Sequence, residues 1–62
     1  MNQKIIKQNN KYRLVFEKSN INPFGYFVIE TLSGNMIYNF TNDYDGEKRA
    51  LMMFEELDDE GL

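Results

Sequence analysis

The sequence predicts an α+β fold in which a three- or four-stranded antiparallel β-meander carries one C-terminal helix on one face. Polar and apolar residues alternate over residues 11–18, which is the period of a strand. Residues 26–32 and 36–41 are rich in β-branched and aromatic side chains. From residue 42 onward, apolar residues recur at helical spacing. We expect one small domain spanning residues 1–62.

An additional N-terminal strand is expected around Ile5 and Ile6. The Gln8-Asn9-Asn10 segment that follows is a turn signal, because Asn tolerates the left-handed backbone. The element order is therefore β-β-β-α or β-β-β-β-α.

The connection between the last two strands determines which side chains share a face of the sheet. Gly34-Asn35 suits a two-residue type II′ turn, which would place Thr31 opposite Tyr38 and Ile29 opposite Phe40. The side chains then expected on the helix-covered face are Tyr12, Leu14, Phe16, Phe27, Ile29, Met36, Tyr38 and Phe40.

Asn42 or Asp43 is expected to cap the helix, and Gly61 is a stop signal after its last apolar residue. Gly46 in the first helical turn indicates a tight approach from the preceding strand. The side chains expected to cover the sheet are Ala50, Met53, Phe54 and Leu57.

One helix cannot cover both faces of a sheet, so we expect several apolar residues on the other face to be partly exposed. Contiguous apolar patches rimmed by charge often mark interfaces, whereas single exposed apolar residues are normal on any surface. A two-fold homodimer is the commonest way to cover such a patch. The candidate dimer or partner interface consists of Val15, Tyr26, Val28, Leu32 and Ile37.

The composition argues against an enzyme and against a cofactor or metal. The chain has no Cys and no His, the usual sources of nucleophiles, general bases and zinc ligands. The Asp43-Tyr44-Asp45-Gly46 segment resembles part of an EF-hand loop, but Thr41 and Met52 occupy the two end positions that require carboxylates.

Charge is divided unevenly along the chain. Residues 1–40 hold five basic and two acidic residues, a net +3, whereas residues 41–62 hold eight acidic and two basic residues, a net −6. Acidic groups oppose the dipole at a helix C-terminus, and this electrostatic cost indicates a role in steering the chain toward a basic partner. The alternative interpretation is a frayed tail that only keeps the chain in solution. The candidate steering residues are Glu55, Glu56, Asp58, Asp59 and Glu60, with Met52 as a candidate contact residue.

Nucleic-acid binding is the alternative from another class. Basic residues of the N-terminal strands interleave with Tyr12 and Phe16, which could stack on bases. The chain as a whole is acidic, with a net charge of −3, whereas most such domains are basic. Salt-dependent binding to an oligonucleotide would support this alternative. The basic residues concerned are Lys4, Lys7, Lys11, Arg13 and Lys18.

These features predict a non-enzymatic protein-interaction domain, a small inhibitor or regulator that forms a homodimer in the cytoplasm. In general style, a short, acidic, Cys-free chain rich in Asn resembles the inhibitors that phages and mobile elements direct against host or defence enzymes. Such a protein would block its target sterically or by imitating phosphates with its acidic helix. A structural subunit of a larger assembly is a further alternative. We expect no membrane attachment and no small-molecule substrate.

Overall fold

The computed structural model describes residues 2–60, and the side chains of Asn2, Asp59 and Glu60 lie outside the description. Within residues 2–60, four strands precede one helix, and the strands pair antiparallel in the order β1-β2-β3-β4 in one open sheet. This confirms the predicted fold class, in its four-stranded form. The elements are β1 (Asn2–Gln8), β2 (Tyr12–Lys18), β3 (Tyr26–Thr31), β4 (Met36–Thr41) and α1 (Gly46–Glu60).

The hydrophobic core lies between α1 and the two central strands. Leu14 of β2 pairs with Ile29 of β3, and the neighbouring pair joins Phe16 and Phe27, whose ring centroids are 5.0 Å apart. Burying each such side chain contributes about 1.5–3 kcal/mol. The fully or almost fully buried side chains of this cluster are Leu14, Phe27, Ile29, Ala50 and Phe54.

The helix crosses the sheet diagonally. It begins just after β4, and its C-terminal half reaches the β1–β2 hairpin, where Lys7 Nζ lies 3.9 Å from Glu55 Oε2 and Asn9 Nδ2 donates to Asp58 Oδ1 at 2.9 Å. Asn9 also shapes the hairpin turn, because its side-chain oxygen accepts the backbone N–H groups of residues 11 and 12. This path leaves the first half of β4 uncovered.

The predicted turn between β3 and β4 is wrong in register. The N–H of Thr31 donates to the carbonyl of Asn35, and Gly34 closes the turn from a φ of +99°. This is a three-residue loop, for which a left-handed Gly is the usual last residue. Tyr38 therefore pairs with Ile29 rather than with Thr31.

A bulge between Met36 and Tyr38 adds a second correction. Met36 pairs with Glu30, so it lies on the side of the sheet away from α1, and it was predicted on the helix side. The displacement by two positions leaves Tyr38 and Phe40 on the helix side as predicted, because side chains alternate with a period of two.

The helix begins later than the sequence indicates. The first intrahelical bond runs from the N–H of Arg49 to the carbonyl of Asp45, which makes Asp45 the cap position rather than Asn42 or Asp43. Gly46 is the first helical residue, and a Cβ there would overlap the carbonyl oxygen of Thr41. The predicted tight approach is therefore confirmed, whereas the predicted stop at Gly61 lies outside the described residues.

Candidate protein-binding surface

The open face, the side of the sheet away from α1, is built as three rows of side chains that run across the strands. The middle row follows directly from the strand register, in which Ile5 pairs with Val15, Val15 with Val28, and Val28 with Asn39. The row is apolar over β1 to β3 and ends in an amide on β4.

The rows on either side are polar and internally bonded. On one side, Arg13 Nε donates to Glu30 Oε2 at 2.8 Å in an ion pair that is mostly buried. On the other side, Glu17 accepts hydrogen bonds from Gln3 Nε2 at 2.8 Å and from the Tyr26 hydroxyl at 3.0 Å. The hydrogen bond to the Glu17 carboxylate, and then its negative charge, raise the pKa of Tyr26.

These polar rows explain a wrong expectation about the apolar residues between them. Val15 is 0% exposed and Val28 is 4% exposed, although α1 lies on the opposite side of the sheet. Their neighbours on this face are the long side chains of the two polar rows, whose stems can lie over an apolar surface. The hydrogen bonds described above hold those side chains together. The expected exposed patch around Val15 and Val28 is therefore absent from this face.

The other predicted interface residues fall in different places. Tyr26 is half-buried and bonded to Glu17 on the open face. Leu32 and Ile37 are 41% and 39% exposed, and they belong to the β3–β4 hairpin rather than to the open face around Val15. The five residues therefore do not form one contiguous apolar patch.

Four exposed apolar side chains lie instead on β4 and at the adjoining Leu32, although Ile21 and Phe24 in the β2–β3 loop are more exposed. Met36, Ile37 and Tyr38 are 60%, 39% and 41% exposed. β4 is an edge strand of an open sheet, so about half of its backbone N–H and C=O groups point away from β3. We call β4 with Leu32 the β4 edge. The predicted turn register places Met36 and Tyr38 in the core. The bulge instead turns Met36 to the open face, and α1 leaves Tyr38 partly uncovered.

The two edges of the sheet differ in charge. β4 has the sequence Met-Ile-Tyr-Asn-Phe-Thr and carries no charged side chain, whereas β1 carries Lys4 and Lys7, which are both exposed. Lysines on an edge strand discourage pairing with another chain. Of the two edges, β4 is therefore the one suited to strand addition.

The acidic end of α1 is partly engaged within the chain. Glu55 lies near Lys7, and Asp58 accepts the hydrogen bond from Asn9, so both contribute to holding the helix on the β1–β2 hairpin. Glu56 is exposed. The side chains of Asp59 and Glu60 lie outside the described part of the molecule. The structural contacts of Glu55 and Asp58 were missed because Asn9 is 49 residues from Asp58 in the chain.

A shallow concavity of about 650 Å³ lies at the start of α1. Met52 and Tyr44 line it, and both are exposed, Tyr44 completely. Arg49 spans its wall, with 3.3 Å contacts to Asp43 and to Asp45. The hydroxyl of Thr41 donates to Asp43 and is the main cause that lowers the pKa of this carboxyl. No motif or periodicity in the sequence indicates that Tyr44 is exposed.

The basic residues of the N-terminal strands do not all lie on one face, because the register places Lys4, Lys7 and Lys18 on the helix side and Arg13 on the open face. Arg13 is bonded to Glu30 on the open face, whereas Lys7 approaches Glu55 on the helix side. Lys18 Nζ lies 5.9 Å from the ring centroid of Phe16, a cation–π distance. The aromatic side chains proposed to stack on bases, Tyr12 and Phe16, are both packed against the core.

Among the side chains that the structure describes, no three acidic residues come together in a group that could hold a metal ion. Within residues 2–60, no helix combines the length and the apolar character that crossing a bilayer requires. Comparison with protein-family models, with curated proteins and with solved structures finds no match for this chain.

Proposed function

We propose that this chain is a non-enzymatic protein-binding domain, a small inhibitor or regulator that acts in the cytoplasm and binds protein through its β4 edge. One observation carries the proposal. β4 is an uncharged edge strand with three consecutive exposed apolar side chains, Met36, Ile37 and Tyr38. Strands of this kind bind partners by adding a strand to the sheet, which supplies affinity through backbone hydrogen bonds and requires no chemistry.

The acidic end of α1 supports a regulatory role. The carboxylates of Glu55 and Asp58 lie on the β1–β2 side of the molecule, away from the β4 edge, so a partner on β4 leaves them accessible. Exposed charge of one sign raises the association rate with a partner of the opposite sign. Met52, exposed near the start of the same helix, offers an apolar contact. A basic target surface is the kind that these groups would fit.

A site-specific crosslink tests the proposal, and the absence of Cys from the chain makes thiol labelling selective. Ile37→Cys and Ile5→Cys, each labelled with a photoreactive probe, place the probe on β4 and on β1. The two positions are matched, since both are exposed isoleucines on edge strands. After labelling of the purified chain and its addition to a lysate of the expressing cell, we expect protein adducts from position 37 and few from position 5. Equal yields from both positions, or none from position 37, would contradict the proposal.

A further inference from the structure

We propose that the occupant of the β4 edge is a second copy of this chain, paired antiparallel along β4 to form a continuous eight-stranded sheet. The inference rests on the proposed use of β4 for protein binding, and it names the partner. Eight strands lie within the usual size of a sheet. The pairing moves the predicted homodimer from the open face to the sheet edge.

The charges on the two edges favour a second copy as the occupant. A strand that pairs with its own copy brings identical side chains close together, so a charged strand repels itself. β4 has no charged residue, and two copies can therefore meet without opposing like charges. A β1–β1 pair would place the exposed Lys4 and Lys7 of both copies on one short ladder.

The acidic groups beyond β4 also favour an antiparallel pair. Asp43 and Asp45 follow the end of the strand, so a parallel pair would bring both sets together. Antiparallel pairing places them at opposite ends, at least six strand positions or about 20 Å apart. That distance exceeds the Debye length of about 8 Å at physiological salt, so their mutual repulsion is largely screened.

Two-fold symmetry restricts the register of the pair. In an antiparallel pair, the two-fold axis must be perpendicular to the sheet. Directly opposite residues of the two strands have their side chains on the same side of the sheet. The axis therefore passes between one residue and the same residue of the second copy. The bulge lies between Met36 and Tyr38, and the ladder is regular from Tyr38 to Thr41. The centre therefore falls at Asn39 or Phe40. In both registers the two Asn39 residues are within about 8 Å of each other.

A charge swap at Asn39 tests the inference. Asn39 is exposed and uncharged, so Asn39→Lys and Asn39→Asp leave the core intact. We expect sedimentation equilibrium to give twice the 7.4 kDa chain mass for the wild type. Each variant alone should dissociate at least tenfold more readily, because two like charges face each other. An equimolar mixture of the two variants should recover the double mass as a heterodimer. Gln8→Lys makes a matched change on β1 and should not alter the mass.

The outcomes separate the inference from the proposed function. A wild type that sediments at the single-chain mass at its highest soluble concentration would overturn the second-copy inference. Failure of the mixed variants to recover the double mass would also overturn it. If position 37 nevertheless crosslinks to a different protein, the proposed function stands without the dimer. If neither self-association nor a crosslink is found, both fail.

Discussion

Gly46 shows at the residue scale how a backbone contact overrides helix propensity. It opens α1 so close to the carbonyl of Thr41 that a side chain does not fit. Replacement of Gly by Ala inside a helix normally stabilises it by up to about 1 kcal/mol. Here the helix start must move, and we expect Gly46→Ala to destabilise the fold by roughly 2 kcal/mol or more. Urea denaturation measures the change.

Gly34→Ala is the control for Gly46→Ala. Gly34 also tolerates little change in conformation, with a φ of +99°, but nothing lies near the added Cβ. Only the conformational cost remains, about 1–2 kcal/mol. Gly34→Asn should recover most of it, because Asn adopts left-handed backbone more readily. A Gly46→Ala variant as stable as the wild type would show that the helix start can shift freely.

The Tyr26–Glu17 hydrogen bond predicts a loss of stability at alkaline pH. The pKa of Tyr26 is raised in the folded chain, first by this bond and then by the charge of Glu17. A tyrosine whose pKa is raised by folding stabilises the folded chain at pH values below the ordinary tyrosine pKa. This stabilisation is lost as the pH rises through the pKa of the folded state. We expect the free energy of unfolding to fall more steeply above about pH 10 in the wild type than in Tyr26→Phe.

Urea unfolding at a series of pH values measures this slope. Tyr44→Phe removes a fully exposed phenol and is the matched control. If Tyr26→Phe and Tyr44→Phe reduce the pH dependence of the free energy of unfolding equally, the hydrogen bond to Glu17 is not the cause of that dependence.

At the scale of elements, the open face contrasts with the β4 edge. Val28 is buried beneath polar neighbours, whereas Ile37 is exposed on the bulged strand. A carboxylate at position 28 would be buried without a partner. We expect Val28→Glu to destabilise the chain by on the order of 3 kcal/mol, and Ile37→Glu by less than about 1 kcal/mol.

Chemical denaturation of both variants under the same conditions compares these costs. Equal stability of Val28→Glu and Ile37→Glu would mean that the open face is accessible to water. Because Val28→Glu is expected to perturb the fold, it cannot serve as a test of self-association.

The elements were predictable because their signals are local. Alternation over β2 and the helical spacing of Ala50 and Phe54 need only neighbouring residues, and both were placed correctly. The β3–β4 register was not predictable from turn residues alone, because Gly34 fits a two-residue turn as well as the three-residue loop that forms. The bulge at Ile37 then shifts the pairing by one residue without a characteristic sequence signal. The predicted helix cap was wrong for a similar reason, since several acceptable cap residues stand close together.

At the scale of the whole molecule, the candidate surface was only partly predictable. Leu32 and Ile37 were identified as exposed apolar residues, and the structure places both on the β4 edge. The burial of Val15 and Val28 depends on long polar side chains from three strands, and the exposure of Tyr38 depends on the diagonal path of α1. Both effects arise from tertiary geometry that no single stretch of sequence encodes.

The lysines of β1 also limit how far the assembly could extend. If two copies join along β4, both outer margins of the resulting ribbon are β1 strands that carry Lys4 and Lys7. A third molecule would therefore meet a lysine-bearing edge strand at either end of the sheet and would find no uncharged edge strand to pair with. Polymerisation into a fibre, the usual hazard of an apolar margin, would thus stop after a single pairing step.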